Sequence, residues 1–220
     1  MIQSMVPCGS VEERGYSIVP PSLFMKTIIF DIDGTLTDMW PIEKSVLLRM
    51  TKGKYEVEIN ALKALGLSDT YEIFLKVSGQ KITKEKYFST YNKVFDALSK
   101  RKELPKLSKY PIVDWIISNW NKYRFLYATG GQKKEAMYAL GCLCVIEYFD
   151  TRNSIDKNRC RFSKKTGIPF RKIKLNFPDC LLITDSQSDC NGAIAAGIRF
   201  LKVKPGQSNF RFKCPMAHSE

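Results

Sequence analysis

The chain has one histidine in 220 residues, and His218 is the third residue from the C-terminus. A serine–histidine or cysteine–histidine pair therefore has no base in the body of the sequence, and a histidine-rich metal site has no ligands. Cysteine is present but unpatterned. Cys8, Cys142, Cys144, Cys160, Cys180, Cys190 and Cys214 are odd in number and scattered, with no CxxC pair. Cys142 and Cys144 are too close for a zinc knuckle, so reduced thiols and a cytoplasmic location are expected. No apolar run approaches the roughly 20 residues of a membrane-spanning helix. A secretory signal is not expected either, because Glu12, Glu13 and Arg14 interrupt the N-terminal stretch. Internal repeats and low-complexity runs are missing as well.

What is present fits an ordinary soluble globular protein, with 44% hydrophobic and 26% charged residues. The length allows one domain, or a core carrying a smaller insertion. Lysine and arginine number 35 against 22 acidic residues, a net charge of +13. Such a surface attracts phosphorylated metabolites and nucleic acid alike. Charge alone does not choose between them.

Residues 1–24 mix glycine, proline and charge without a period and read as a flexible leader, with Met25 a candidate natural start. Four short apolar runs follow, at Thr27–Phe30, Phe125–Ala128, Cys180–Thr184 and Arg199–Val203. They read as buried strands. Helical spacing lies between them: Val113, Ile116, Ile117 and Trp120 share one face, and Ala136, Leu140 and Leu143 another. Gln187–Ala196 reads as a helix closed by Gly197. This alternation predicts a Rossmann-like parallel α/β sheet flanked by helices, with three strands ending in polar residues at their ligand-binding edge. Residues 40–120 show only helical spacing (Tyr55, Ile59 and Leu62, then Tyr87, Tyr91, Val94, Phe95 and Leu98). The predicted organisation is a discontinuous core of residues 25–39 and 121–205, a helical insertion at 40–120, and a tail at 206–220.

The chemistry concentrates in Phe30-Asp31-Ile32-Asp33-Gly34-Thr35-Leu36-Thr37-Asp38. Two carboxylates at the end of a buried strand are costly unless something compensates their charge. Extended geometry points both to one side, and Gly34 permits a sharp turn. One carboxylate could then bind a hard cation and attack phosphorus while the other moves a proton. The competing reading is an Asx-type turn.

This segment resembles motif I of the haloacid dehalogenase-like superfamily, hhhhDxDGTLxD. The resemblance implies that Asp31 is the nucleophile and Asp33 the general acid/base. Members that cleave carbon–halogen bonds lack the second aspartate, so Asp33 points to the phosphatase branch. Motif II then falls on Phe125–Thr129, with the Thr129 hydroxyl and the Gly130 N–H as phosphate donors. Motif IV falls on Asp185-Ser-Gln-Ser-Asp189. It implies Mg2+ bound by Asp31, Asp185 and the backbone carbonyl of Asp33, with Asp189 supporting the metal's shell. The motif III lysine, which binds phosphate and pairs with the nucleophile, is expected at Lys165, with Lys164 and then Lys157 as alternatives. Residues 40–120 correspond to the family's helical cap, which closes over the site and selects the substrate.

The function so implied is a magnesium-dependent phosphatase acting on a small phosphorylated substrate through an aspartyl-phosphate. A phosphomutase or phosphonate hydrolase on the same scaffold is the nearest alternative. A nucleic-acid-binding protein or polynucleotide end phosphatase would use the positive charge, with Tyr87 and Tyr91 as stacking platforms if exposed. No nucleic-acid motif is visible, and the helical stripe carrying both tyrosines favours core positions.

Overall fold

The computed structural model describes residues 26–206. The leader at 1–24, Met25, His218 and nearly all of the tail lie outside the described residues. Thr27–Phe30 (β1) and Cys180–Thr184 (β3) are buried along their whole length, as β-branched and apolar residues must be in a sheet covered on both faces. Arg124–Tyr127 (β2) and Arg199–Lys202 (β4) complete a parallel sheet in the order β2-β1-β3-β4. Phe30 pairs in register with Tyr127 on one side and Ile183 on the other. Three strands therefore end level, and Asp31, Thr129 and Asp185 emerge at one edge.

Strand alternation divides the core into two layers. Ile28, Phe30, Phe125, Tyr127, Leu181 and Ile183 face one side, where they meet Pro111–Asn119 (α5) and Lys133–Cys142 (α6). Ile29, Leu126 and Leu182 face the other, against Ile168–Asn176 (α7) and Gln187–Ala196 (α8). Four helices lie between β1 and α5: Trp40–Met50 (α1), Glu56–Ala64 (α2), Thr70–Ser78 (α3) and Lys84–Lys100 (α4). Their apolar faces close on Ile42, Val46, Leu47, Ile59, Ile73, Phe74, Tyr87, Tyr91, Phe95 and Leu98.

The chain leaves the sheet edge and returns to it at one point. The Thr37 hydroxyl donates to the Ser108 carbonyl at 2.8 Å, and the Tyr110 N–H donates to the Leu36 carbonyl at 2.9 Å. The outgoing and returning linkers are thus zipped together beside Asp33. α5 packs on the sheet itself, with Trp115 6.0 Å from Phe125 between ring centroids.

Local expectations differ in four places. Arg199–Lys202 (β4), expected as a buried strand, is largely exposed, because it is an edge strand of the sheet. The buried face of α5 is Ile112, Val113 and Ile116, while Ile117 and Trp120 are exposed, because the helix ends at Asn119 and Trp120 turns out to stack on Tyr148. Tyr55 adopts a left-handed conformation ahead of α2, so it leaves the face carrying Ile59. β2 ends at Tyr127, because Ala128 bridges to Ile155 instead. Among the described residues no helix is long and apolar enough to cross a membrane.

Candidate active site

The Asp31 backbone N–H donates to the Ile183 carbonyl, which ties the residue to β3 just past the strand. Its side chain is buried, with Oδ1 accepting from the Ile32 N–H at 2.9 Å. Gly34 follows at φ +73°, a conformation that disfavours any residue with a Cβ, and its N–H closes the loop onto the Thr37 carbonyl. Asp33 stands on the open side of this loop, where Oδ1 accepts from the Met39 N–H at 2.8 Å. The residue is exposed, yet neighbouring protein surrounds its carboxyl. Protein crowding strips water from the carboxyl and raises its pKa, the Met39 N–H pulls it down, and Asp31 raises it further.

Gly34 has a second role. A Cβ there would lie 2.3 Å from Asp185 Oδ2, so only glycine lets the motif IV carboxylate sit against the motif I loop. Thr35 fixes it in place. Its hydroxyl lies 3.3 Å from Asp185 Oδ1 and accepts from the Asp185 N–H at 3.2 Å. Desolvation, then Asp31, raises the Asp185 pKa against these hydrogen bonds. Ser186, not Asp185, caps α8 by accepting from the Asp189 N–H. That leaves Asp185 facing the site.

The lysine at the centre is Lys164. Its Nζ lies 2.7 Å from Asp31 Oδ1, pairs closely with Asp189 Oδ2, and donates to the Ala128 carbonyl at 3.2 Å. Three partners use the three protons of an ammonium group. Lys165, the residue expected from sequence, is exposed, and it is Lys164 that contacts Asp31, so that expectation is corrected. The reason is long-range packing. Lys164 opens a 3₁₀ turn, Lys164–Thr166, pressed so tightly on α8 that a Cβ on Gly192 would sit 2.0 Å from the Lys164 carbonyl oxygen. Adjacent residues in such a turn point about 120° apart, so one lysine enters and the other cannot. Burial alone would lower Lys164, but Asp31 and Asp189 reverse that and hold it charged. Two carboxylates share this one cation. Burial and the nearness of Asp31 push Asp189 up to about 7 despite the pull of Lys164.

Thr129 and Gly130 complete the edge after β2. Thr129 is half-buried, Gly130 is exposed, and the Thr129 Oγ1 accepts from the Gly131 N–H at 3.1 Å. Glu135 forms a capping box with Gln132, receiving the Gln132 N–H at 2.6 Å.

Among the described residues, no group of three or more histidine, cysteine, aspartate or glutamate side chains gathers closely enough to hold a metal ion. The nearness of Asp31 helps raise the Asp185 pKa, and the Gly34 cradle seats the Asp185 carboxylate against the motif I loop. Two carboxylates and one carbonyl fit a hard, partly hydrated cation such as Mg2+. Asp189 is engaged by Lys164, an arrangement suited to positioning the lysine rather than holding metal. Sequence reasoning missed Thr35, the Ala128 carbonyl and Glu135. The S/T/N/Q-x-x-E spacing of Gln132 and Glu135 was the one available signal among these.

The chain belongs to the haloacid dehalogenase-like hydrolase family, whose model matches residues 28–203, and it is an enzyme of that hydrolase type. A predicted phosphoglycolate phosphatase from Haemophilus somnus is similar in structure, with a TM-score of 0.64 and 19% identity, covering 83% of this chain and 86% of that one. A HAD hydrolase of family IA from Entamoeba histolytica gives 0.61 and 17%, covering 81% and 84%. A protein assigned as a β-phosphoglucomutase from Thermotoga maritima gives 0.58 and 21%, covering 86% and 89%. At these identities the likeness concerns the fold. No curated protein gives a significant match.

Proposed function

We propose that the protein is a phosphatase that hydrolyses a phosphate monoester through an aspartyl-phosphate on Asp31. The observation that carries this reading is the contact of the buried Asp31 carboxylate with Lys164, at a strand edge shared with Thr129 and Asp185. Asp31 attacks phosphorus in line, and the ester bond breaks as Asp33 gives its proton to the leaving oxygen. Asp33 then removes a proton from water, which attacks the phosphorus and returns Asp31 as a carboxylate with release of inorganic phosphate. Lys164, the Thr129 hydroxyl and the Gly130 N–H offset charge on the phosphoryl oxygens. Asp31, Asp185 and the Asp33 carbonyl would hold Mg2+, which supplies further positive charge at the same place when bound.

Helices α1 to α4 serve as the cap, with the paired linkers at residues 37–39 and 108–110 as its attachment. A small phosphorylated molecule is the expected substrate. Tyr87 and Tyr91, the stacking platforms a nucleic-acid reading would use, are 0% and 1% exposed. Cys142, Cys160, Cys180 and Cys190 are free thiols, in keeping with a reducing, cytoplasmic setting.

Asp31→Asn is expected to abolish turnover of p-nitrophenyl phosphate with Mg2+. Retention of more than roughly a tenth of wild-type turnover would remove Asp31 as the nucleophile.

A further inference from the structure

Residues 151–178 carry nine lysines and arginines and a single acid, so this stretch holds more than half of the net charge of +13. The acid, Asp156, is fully buried. Its carboxylate accepts from the Asn158 N–H at 2.9 Å, the Arg159 N–H at 3.1 Å and the Tyr127 hydroxyl at 3.3 Å. It closes a turn and offers the surface no counter-charge.

Five of the nine cations are engaged. Lys164 enters the active site, and the Lys157 ammonium rests 4.8 Å from the Phe88 ring centre. The Arg159 guanidinium donates to the Arg152 and Ser154 carbonyls. Arg171 and Lys174 donate to the Ala195 and Gly197 carbonyls at the end of α8. That leaves Arg152, Arg161, Lys165 and Lys172. All four are exposed, and among the described residues none of them has an acidic partner.

The backbone sets these four on one flank. The Lys157 N–H donates to the Gly131 carbonyl at 3.0 Å, and Asn158 Oδ1 accepts from the Lys133 N–H at 2.9 Å. The loop therefore follows the rim of the site from Thr129 round to Lys164. Arg152 joins it through the Arg159 contact, and Cys160 enters the same core layer as Phe170 of α7, which brings Arg161 beside that helix. Residues step about 100° around a helix, so with Arg171 and Lys174 turned to α8, Lys172 turns away from α8, toward this loop. Among these cations Phe162 is 59% exposed. A solvated basic face has no need of such a ring, which forgoes the burial a phenylalanine usually obtains.

Unpaired cations around an exposed ring suit a flexible polyanion that carries aromatic groups, with phosphates on the cations and an unpaired base stacked on the ring. An anionic membrane would call for a wider apolar face. Here the other exposed large apolar residue of the stretch, Leu175, lies at the far end of α7. We propose that the flank formed by Arg152, Arg161, Phe162, Lys165 and Lys172 is a docking surface for single-stranded nucleic acid, beside the catalytic site and apart from the buried Tyr87 and Tyr91.

The test is fluorescence anisotropy of the full chain with labelled oligo(dT) of about 20 nucleotides, at salt from about 50 to about 200 mM. Binding is expected with a Kd of about 1–100 μM near physiological salt. Arg161→Ala, Lys165→Ala and Lys172→Ala together should weaken it by about tenfold or more at low salt, and reduce the slope of log affinity against log salt by about 2. Lys81→Ala, Lys86→Ala and Lys93→Ala together remove the same charge from exposed positions on the cap. They should weaken binding by less than about threefold. Phe162→Ala should weaken it by about fivefold or more at unchanged slope, and decides the matter if the first triple variant loses the wild-type denaturation midpoint. Binding is read without turnover, so the outcome is independent of the phosphatase reading. No binding at the lowest salt, equal losses in the two triple variants, or unchanged affinity in Phe162→Ala would overturn the inference. So would capture by phosphatidylserine vesicles without binding to the oligonucleotide.

Discussion

Replacing Lys164 by methionine tests the centre of the site, with Lys165→Met as its paired control. The Lys164 side chain is 13% exposed and that of Asp31 9%. Methionine keeps the stem and removes the cation, so Asp31 and Asp189 are left facing each other and the Ala128 carbonyl loses its donor. Breaking a buried ion pair from one side costs about 3–5 kcal/mol, less whatever the carboxylates recover by taking up a proton. Asp189, already pushed up to about 7, is the group best placed to do so. The folded variant then holds a proton that the unfolded chain releases, so its stability rises as pH falls. The expected deficit is about 3 kcal/mol near pH 8 and about 1 kcal/mol near pH 5. Turnover should fall by about a hundred- to a thousandfold, as for loss of a charged donor at a reacting oxygen. Lys165→Met should change stability by less than about 0.5 kcal/mol and leave turnover intact. Urea denaturation at the two pH values, beside a phosphate-release assay, reads all four quantities. Loss of activity in Lys165→Met with retention in Lys164→Met would refute the assignment.

Two further outcomes follow from named contacts. Gly34→Ala places a Cβ 2.3 Å from Asp185 Oδ2 at φ +73°, and should destabilise by at least about 2 kcal/mol while raising the Mg2+ concentration needed for half-maximal activity. Normal stability with unchanged Mg2+ dependence would show that Asp185 is not seated by that loop. Glu43 ionises near 4.5 when unfolded and at about 8 when folded, so the native state binds the extra proton between those values and wild-type stability should decline as pH rises through them. Glu43→Gln removes this decline. Parallel stability–pH curves for the two proteins, measured by denaturant midpoint, would contradict the burial of Glu43.

The sheet was legible because its strands are short apolar runs ending in polar residues, and Thr27–Phe30, Cys180–Thr184 and the helix closed by Gly197 fall where such runs place them. The family pattern located Asp31, Asp33, Thr129 and Asp185 at one edge because these residues sit at fixed offsets from strand ends. Lys164 was not legible. It is chosen over Lys165 by the close approach of its carbonyl to Gly192, a contact that no local spacing encodes. The contact of Tyr91 with Glu135 was hidden for a related reason. Tyr91 reads as core on its helical stripe, and only the packing of α1 and α4 over the sheet edge brings it to Glu135.

The most direct test of the central claim is a single turnover with radiolabelled phosphate ester and Mg2+, quenched in acid and mapped by peptide. A covalent aspartyl-phosphate predicts label on the peptide containing Asp31, released by hydroxylamine and missing from Asp31→Asn. Turnover without protein-bound label, or label on a peptide lacking Asp31, would contradict it.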